Sequence, residues 1–361
     1  METRIVTYPV RKERIIRSSA GIHDLSRFLV VVAHGDSGAR GFGEAATAVI
    51  WNGEAAETAD WIINNLFAPQ LTGNLYDHPS DALGVMDRLA EGHPFAKSAV
   101  ETALWDLWTR QAGVPASSRF ADREVVESIP TRASIGAYPV KETVRIASEF
   151  WEAGIRTLKF KTGVKEFNDV ERLSAVREQL GSEPEFTIDA NGGHESADEA
   201  VKAIEELLPY RISLAEQPTP RDCIPMLAEV KKRVSVPVMA DESVFTMGHL
   251  RSALDCDAFD VLSIYPGKNG GFSRSVEMAQ LAHKAGKVCA VGSNLESDLG
   301  QAAMANLAAG LSAFPVERIA CDLPAIMYYE QSSIKHPLSF KAGRIEVPAG
   351  PGFGVEPILE E

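Results

Sequence analysis

Charged and amide side chains recur along the second half of the sequence at nearly constant spacing. Intervals of 25 to 28 residues separate Lys161, Asp189, Glu216, Asp241, Lys268 and Asn294. One strand and one helix of a parallel α/β fold take roughly this length, so these side chains would end successive strands and share one level of the fold. Helix capping would explain an isolated aspartate, but it explains neither Glu216, which precedes Gln217 and Pro218, nor the lysines.

Three of these residues are carboxylates that successive strands would place side by side. Asp189, Glu216 and Asp241 would repel one another unless a cation lay among them. All-oxygen ligands favour Mg²⁺, with Mn²⁺ as an alternative, and the lack of histidine and cysteine at these positions argues against zinc. Asn191 follows Asp189 by two residues and would face the same side.

Lysines accompany the carboxylates. Lys159 and Lys161 alternate with Phe160, so both would face the interior of a barrel. Two neighbouring ammonium groups disfavour each other's charge, and a pKa lowered by roughly two to three units would make one lysine a base near neutral pH. Lys268, in YPGKNGG, would come from the other side of the barrel. If all groups are charged, one Mg²⁺, three lysines and three carboxylates give the site a net charge of about +2. This local positive charge would attract a carboxylate substrate.

The elements that must position these residues begin near residue 130, where short apolar runs alternate with helical stretches. The predicted strands are 132–136, 157–161, 185–189, 213–216, 236–241, 261–264, 288–292 and 318–322. Each of the first seven precedes a helical stretch, such as 169–179. The pattern predicts an α/β fold with a modified (β/α)8 TIM-type barrel, and no GxGxxG follows a strand to support a doubly wound sheet.

The preceding residues predict a separate α+β capping domain. Strand-like runs at 4–10, 28–34 and 41–46 enclose a polar, unpatterned stretch at 17–24, and helices follow, the clearest at 95–111. We expect the cap at 1–125, the barrel at 126–325, and a C-terminal segment at 326–361 that returns to the cap.

Composition excludes several classes of protein. The 361 residues include 50 acidic and 36 basic side chains, and the net charge of −14 argues against a nucleic-acid partner. No apolar run reaches the roughly 18 residues of a membrane span, and charges interrupt the first residues where a signal peptide would be apolar. Four cysteines without a CxxC pair suggest reduced thiols in a cytoplasmic protein, and we expect a homo-oligomer.

The sequence resembles the enolase superfamily, specifically its muconate-lactonizing-enzyme subgroup, over essentially its whole length. The motifs that carry the resemblance are Lys159-Phe160-Lys161, Asp189-Ala190-Asn191, Glu216-Gln217-Pro218, Asp241-Glu242-Ser243 and Lys268. The resemblance implies Mg²⁺ held by Asp189, Glu216 and Asp241. It also implies an acid/base lysine at Lys161, tuned by Lys159, and Lys268 as its partner on the opposite face of a small carboxylate substrate.

The implied reaction transfers the proton α to a substrate carboxylate through an enolate, giving isomerisation of the muconate-cycloisomerase or lactonizing type. Racemisation or epimerisation of an amino-acid derivative and β-elimination from a hydroxy(amino) acid are the alternatives, and a non-catalytic metal-binding paralogue is a remote one. A histidine of the mandelate-racemase kind is missing from 292–296. Dipeptide epimerases carry an Asp-x-Asp pair where this chain has Asp322-Leu323-Pro324. A Schiff-base aldolase using Lys161 would leave the carboxylates unexplained.

Two loops of the cap are expected to close over the barrel mouth and select the substrate. Their candidate specificity residues are Ser19, Ile22, His23, Ile50 and Trp51. On the barrel side, the residues expected to touch the substrate, or to support residues that do, are Asn191, Glu242, Asn294, Glu296 and Asp322.

Overall fold

The computed structural model describes residues 1–36, 38–74 and 76–359. The cap opens with an antiparallel sheet of Glu2–Pro9, Leu25–His34 and Arg40–Thr47, in which Leu25–His34 is central. This sheet packs on the helix Pro94–Gln111. Gly41 and Gly43 make that contact possible, since a Cβ there would lie 2.3 and 2.0 Å from carbonyl oxygens of the helix. The three strands and the long helix confirm the α+β cap.

The remaining cap elements are short. Its other helices are Val49–Asn52, Ala56–Ile62, Ala68–Leu71 and Ser80–Leu89, with a π-helical turn at Ile63–Phe67 and 3₁₀ turns at Lys12–Arg14 and Ala116–Arg119. The stretch at 17–24, which shows no pattern in the sequence, lies largely in a hairpin of Ile16–Ser18 paired with Gly21–His23. Three-residue strands are too short for alternation to reveal them.

Seven parallel strands in sequential order form the wall of the barrel. The first to seventh barrel strands are Arg132–Ile135, Thr157–Lys161, Glu185–Asp189, Ile212–Glu216, Val238–Ala240, Val261–Ile264 and Val288–Val291. The modified TIM-type barrel predicted from the sequence is therefore present.

The eighth predicted strand, 318–322, is not a strand, and this part of the prediction was wrong. Arg318 and Ile319 donate their amide N–H groups to the Pro315 carbonyl, which makes a turn of that stretch. Cys321 and Asp322 close the gap between the seventh and the first barrel strands. Cys321 exchanges backbone hydrogen bonds with Pro130 and Arg132 on one side, and Asp322 donates to Val291 on the other.

A helix follows each of the seven strands, as the sequence predicts. These helices are Val140–Glu152, Asp169–Leu180, Ala197–Leu207, Ile224–Arg233, Met247–Asp255, Phe272–Lys284 and Asp298–Gly310. Side-chain oxygens of Asn168, Ser196, Thr246 and Ser297 cap four of them. Shorter helical pieces are Leu208–Tyr210, Pro266–Asn269 and Ala325–Tyr328. Within the described residues, no helix combines the length and hydropathy that crossing a membrane requires.

The segment predicted at 326–361, of which 360 and 361 lie outside the described residues, contacts both the barrel and the cap. Phe340–Lys341 and Arg344–Glu346 form a small sheet with Ser128–Pro130. Further on, Phe353 donates its amide N–H to Asp106 Oδ1 on the long cap helix, at 2.7 Å. The chain thus ends by packing against its own N-terminal part.

Candidate active site

The strand register places the spaced charged residues in one row at the C-terminal end of the barrel. Lys161, Asp189 and Glu216 are direct neighbours across the second, third and fourth barrel strands. Asp241 lies two residues beyond Met239, which is the partner of Glu216 on the fifth strand. Because paired residues of adjacent strands point to the same face, their side chains converge.

Three lysines neutralise these carboxylates. Lys159 Nζ lies 3.0 Å from Asp189 Oδ2 and 2.8 Å from Glu216 Oε1. Lys161 Nζ donates to Asp189 Oδ2 at 2.6 Å and to Asn191 Oδ1 at 2.8 Å. Lys268, fully buried on the short helix after the sixth strand, donates to Asp241 Oδ1 at 2.9 Å and to the Ser263 carbonyl at 2.6 Å.

The prediction that the two lysines of the second strand depress each other's pKa does not hold for Lys159. Burial lowers the pKa of Lys159, but the charges of Asp189, Asp322 and Glu216 outweigh burial and raise it well above its ordinary value. Conversely, burial would raise the pKa of Asp189, but Lys159 and Lys161 hold it well below the ordinary range. The surrounding carboxylates therefore favour the charged form of Lys159.

Arg132 is a component of the site that the sequence reasoning missed. It is fully buried in the first barrel strand, with Nη2 at 2.8 Å from Asp322 Oδ2 and 3.1 Å from Glu216 Oε2. Burial raises the pKa of Asp322, but Arg132 and Lys159 outweigh burial and lower it. The available signal was an arginine at the start of a predicted strand, 132–136, that carries no other charged residue.

Three residues that end barrel strands or follow them adopt left-handed backbone conformations. Asn191, Gln217 and Leu295 have φ values of 45°, 35° and 57°. Such conformations cost roughly 1–3 kcal/mol for residues other than glycine and concentrate at functional sites. At Asn191 the result is a bridge, since its side chain accepts from Lys161 and donates to Glu242 Oε1 at 2.8 Å.

A pocket opens between this row and the cap. From the row and the barrel loops, its walls include Lys159, Lys161, Asp189, Asn191, Asp241, Asn294 and Asp322. From the cap come Ile22, His23, Ile50 and Trp51. Trp51 also donates its indole N–H to Glu242 Oε1 at 3.1 Å and stacks on Tyr265, with ring centroids 5.9 Å apart.

Other predicted site residues do not line the pocket. Glu216 lies beneath Lys159, and Lys268 lies beneath Asp241. Glu296 accepts hydrogen bonds from the Ser293 hydroxyl at 2.6 Å and from the Asn294 amide at 2.9 Å. Burial raises the pKa of Glu242 and of Glu296 to about 7. Ser19 joins the hairpin to the barrel through a hydrogen bond to the Ala190 carbonyl.

The donor chemistry of the row fits a hard divalent cation. Within the described residues, no three histidine, cysteine, aspartate or glutamate side chains stand at ligand spacing. The ammonium of Lys159 nevertheless lies between Asp189 and Glu216, so one cation can bridge these carboxylates. Glu216 Oε2 is buried and accepts no hydrogen bond, although it forms an ion pair with Arg132 Nη2 at 3.1 Å, so it keeps lone pairs with which it could bind a metal.

Comparison with known proteins agrees with this architecture. A family model described as "Enolase C-terminal domain-like" matches residues 142–361, and one described as "Mandelate racemase / muconate lactonizing enzyme, N-terminal domain" matches residues 1–118. Muconate cycloisomerase 1 of Rhodococcus opacus is 29% identical over 99% of this chain and 95% of the relative. L-Ala-D/L-Glu epimerase of Bacillus subtilis (strain 168) is 30% identical over 89% of this chain and 86% of the relative.

The same fold occurs in a solved structure of a dipeptide epimerase. The enzyme of Cytophaga hutchinsonii, complexed with Mg and the dipeptide D-Ala-L-Val, superposes with a TM-score of 0.91 at 26% identity, covering 99% of this chain and 95% of that one. These relatives are isomerases and epimerases, and the present chain is an enzyme of this type. It belongs to the mandelate racemase/muconate lactonizing enzyme family of the enolase superfamily, in the muconate-lactonizing-enzyme subgroup.

Proposed function

We propose that this enzyme uses Mg²⁺, or Mn²⁺ in its place, to remove and return the proton α to the carboxylate of a small substrate. The observation that carries the proposal is the row in which Lys161, Asp189 and Asp241 line one pocket, with Glu216 as the direct strand neighbour of Asp189 behind its wall. These three carboxylates would hold the metal. When bound, the metal would draw negative charge from the substrate carboxylate and so make the α-proton more acidic.

Lys161 is the proposed acid/base group. It is the least buried of the three lysines, it lines the pocket, and its Nζ is oriented by Asp189 and Asn191. A proton-transfer group must reach the substrate and hold a fixed orientation, and Lys161 meets both conditions. Lys159 is 4% exposed and sits among three carboxylates, so we assign it a fixed charge rather than proton transfer.

Lys268 bears on the stereochemical outcome. It follows the sixth barrel strand and lies across the barrel from Lys161. Epimerisation requires a second acid/base group in such a position, because one group removes the proton and the other returns it from the opposite face. Its Nζ already donates to the Asp241 carbonyl, to Asp241 Oδ1 and to the Ser263 carbonyl. All three of its hydrogens are used, and this favours a fixed cation and single-base chemistry such as cycloisomerisation. Epimerisation remains the second candidate.

The decisive test is exchange of the α-proton in D₂O, followed by NMR over a panel of carboxylic acids. We expect exchange that EDTA abolishes and that added Mg²⁺ or Mn²⁺ restores. Exchange that persists after complete removal of divalent metal would contradict the proposal. An inverted α-centre in the product would identify epimerisation, and a new ring or double bond would identify cycloisomerisation or elimination.

Location and assembly also remain proposals. The four cysteines are free thiols, two of them buried, which supports a reducing compartment such as the cytoplasm. We propose a homo-oligomer, because closed symmetric assemblies are common among enzymes of this size. Light scattering of the purified chain measures its mass directly.

A further inference from the structure

The short cap helix Val49–Asn52 takes its position from the barrel rather than from a core of its own. None of its four residues is buried. Trp51 turns toward the barrel, where its ring lies 5.1 Å from the ring of Phe245 and 5.9 Å from that of Tyr265, centroid to centroid. These two aromatic residues belong to the loops after the fifth and sixth barrel strands. An element with so little buried surface is stable only through such contacts.

Arg221 supplies a further contact from the loop after the fourth barrel strand. Its Nη2 donates to the Trp51 carbonyl at 2.7 Å. Its guanidinium carbon lies 5.8 Å from the ring centroid of Trp51 and 5.3 Å from that of Phe245. A guanidinium within about 6 Å of an aromatic ring is attracted to its face. Arg221 therefore binds both the backbone and the side chain of Trp51 and fixes the cap helix to the barrel.

From the indole, a chain of hydrogen bonds leads to the proposed acid/base lysine. The indole N–H of Trp51 donates to Glu242 Oε1 at 3.1 Å, and Asn191 Nδ2 donates to the same oxygen at 2.8 Å. Asn191 Oδ1 accepts from Lys161 Nζ at 2.8 Å. Because an ammonium can only donate, Asn191 must present its oxygen to Lys161 and its NH₂ group to Glu242. The chain thus has one arrangement of donors and acceptors from the cap to the lysine.

Asn191 is the link that most needs its neighbours. Its φ of 45° is left-handed, a conformation that persists only where the surroundings hold it. The backbone N–H of Asn191 donates to Asp189 Oδ1 at 2.9 Å, and its side chain lies between Lys161 and Glu242. Loss of the contact at Glu242 would remove one of these restraints and leave the amide free to turn away from Lys161.

Trp51 also lies between two cavities. It lines the substrate pocket, and its ring contacts Arg221, Glu242 and Phe245, which line a second cavity of about 950 Å³ between the cap and the barrel. The docked indole occupies one acceptor position on Glu242 Oε1. When the indole leaves, water from this cavity competes for the carboxylate.

We propose that Trp51 and Arg221 are positioning residues for proton transfer at Lys161. Docking of the cap helix, which Arg221 secures, holds Glu242 and through it Asn191, so that the lysine ammonium keeps one orientation toward the substrate. This inference rests on the proposed function for the role of Lys161. The hydrogen-bond chain itself forms without a substrate and is tested without one.

The cap end of the chain is tested by hydrogen exchange of the indole N–H groups, followed by NMR. The chain has five tryptophans, and Trp51→Phe identifies the Trp51 signal by its loss. We expect Arg221→Met to speed exchange of this hydrogen with solvent by about tenfold, since a charge-assisted hydrogen bond is lost. Arg251→Met, on an exposed part of a barrel helix, is the matched control and should exchange like wild type. Equal exchange in Arg221→Met and wild type would overturn the role of Arg221.

The lysine end is tested by trace labelling with acetic anhydride, measured by mass spectrometry in the absence of substrate. A lysine that loses an acceptor is freer to react. We therefore expect Trp51→Phe and Arg221→Met to raise the labelling rate of Lys161 by about three- to tenfold. Lys165, which is 83% exposed, serves as the internal control and should label equally in all variants. Unchanged labelling of Lys161 in both variants would overturn the inference.

Exchange of the α-proton in D₂O, with the panel acid that wild type exchanges fastest, gives the functional readout. We expect Trp51→Phe to lower the rate at saturating acid by about tenfold and to change KM by less than about threefold. Trp61→Phe, at a cap residue that is 58% exposed, is the control and should match wild type. A rise in KM alone would make Trp51 a substrate contact and overturn the positioning role. If wild type exchanges no acid, the proposed function fails, whereas the labelling of Lys161 still decides whether the cap orients this lysine.

Discussion

Gln217 holds the backbone of Asp241 in place. Its Oε1 accepts the amide N–H of Asp241 at 3.0 Å and that of Ser243 at 3.2 Å, while its Nε2 donates to the Thr219 carbonyl at 2.7 Å. The side chain is completely buried and its backbone is left-handed. Gln217 thus links the fourth strand end to the fifth and sets where the Asp241 carboxylate lies.

Replacing this amide should weaken the metal site without removing a ligand. We expect Gln217→Met to lower Mg²⁺ affinity by about 10- to 100-fold, since supporting residues of metal sites have effects of this size. Calorimetric titration with Mg²⁺ measures the change. Gln179→Met, on an exposed part of a barrel helix, is the matched control and should titrate like wild type. Unchanged affinity in Gln217→Met would contradict this role.

Removing Lys161 should abolish proton exchange while the metal still binds. We expect Lys161→Met to reduce α-proton exchange by about 10²- to 10⁴-fold, the usual contribution of a general base. Exchange in D₂O gives the rate and calorimetry gives Mg²⁺ affinity. Lys165→Met removes a lysine that is 83% exposed and should leave both values unchanged. Full exchange in Lys161→Met would show that another group takes the proton.

Arg132 should be essential to stability, because two buried carboxylates depend on it. Arg132→Met leaves Glu216 and Asp322 with less compensating charge, and breaking a buried pair in this way costs about 3–5 kcal/mol. Urea unfolding measures the loss. The double variant Arg132→Met/Asp322→Asn also removes the uncompensated charge of Asp322 and should recover part of the stability. No recovery would indicate that Arg132 acts mainly by packing.

Glu44 should make the protein less stable as pH rises. Burial raises its pKa to about 8, although hydrogen bonds from Ser297 oppose the shift. The folded state holds this proton more tightly than the unfolded chain, whose glutamate titrates near 4.5. The contribution is complete below about pH 4.5 and is lost as pH rises toward 8 and beyond, on the order of 3–5 kcal/mol.

The comparison that isolates Glu44 is Glu44→Gln against wild type between pH 5 and 8.5. Urea unfolding of the variant should show a shallower fall in stability across this interval. Glu57→Gln, which changes an exposed glutamate of the cap, serves as the control and should keep the wild-type slope. Identical slopes in Glu44→Gln and wild type would contradict the raised pKa.

The spacing of the charged residues along the chain was enough to predict that they lie in one row at the C-terminal end of the barrel. Because each strand and helix together take nearly constant length, the spacing of Lys161, Asp189 and Glu216 reports the period of the barrel directly. The register confirms that they are neighbours. The seven strands and their helices follow from the same local pattern, since alternation and helix capping depend on residues close in sequence.

Tertiary structure alone decided the features that depend on distant neighbours. The closure of the barrel by Cys321, the burial of Arg132 and the raised pKa of Lys159 each depend on contacts between residues far apart in the chain. A sequence states which groups are present and how often they recur. Desolvation and Coulomb energy depend on distances in space, and these exist only once the barrel has closed under its cap.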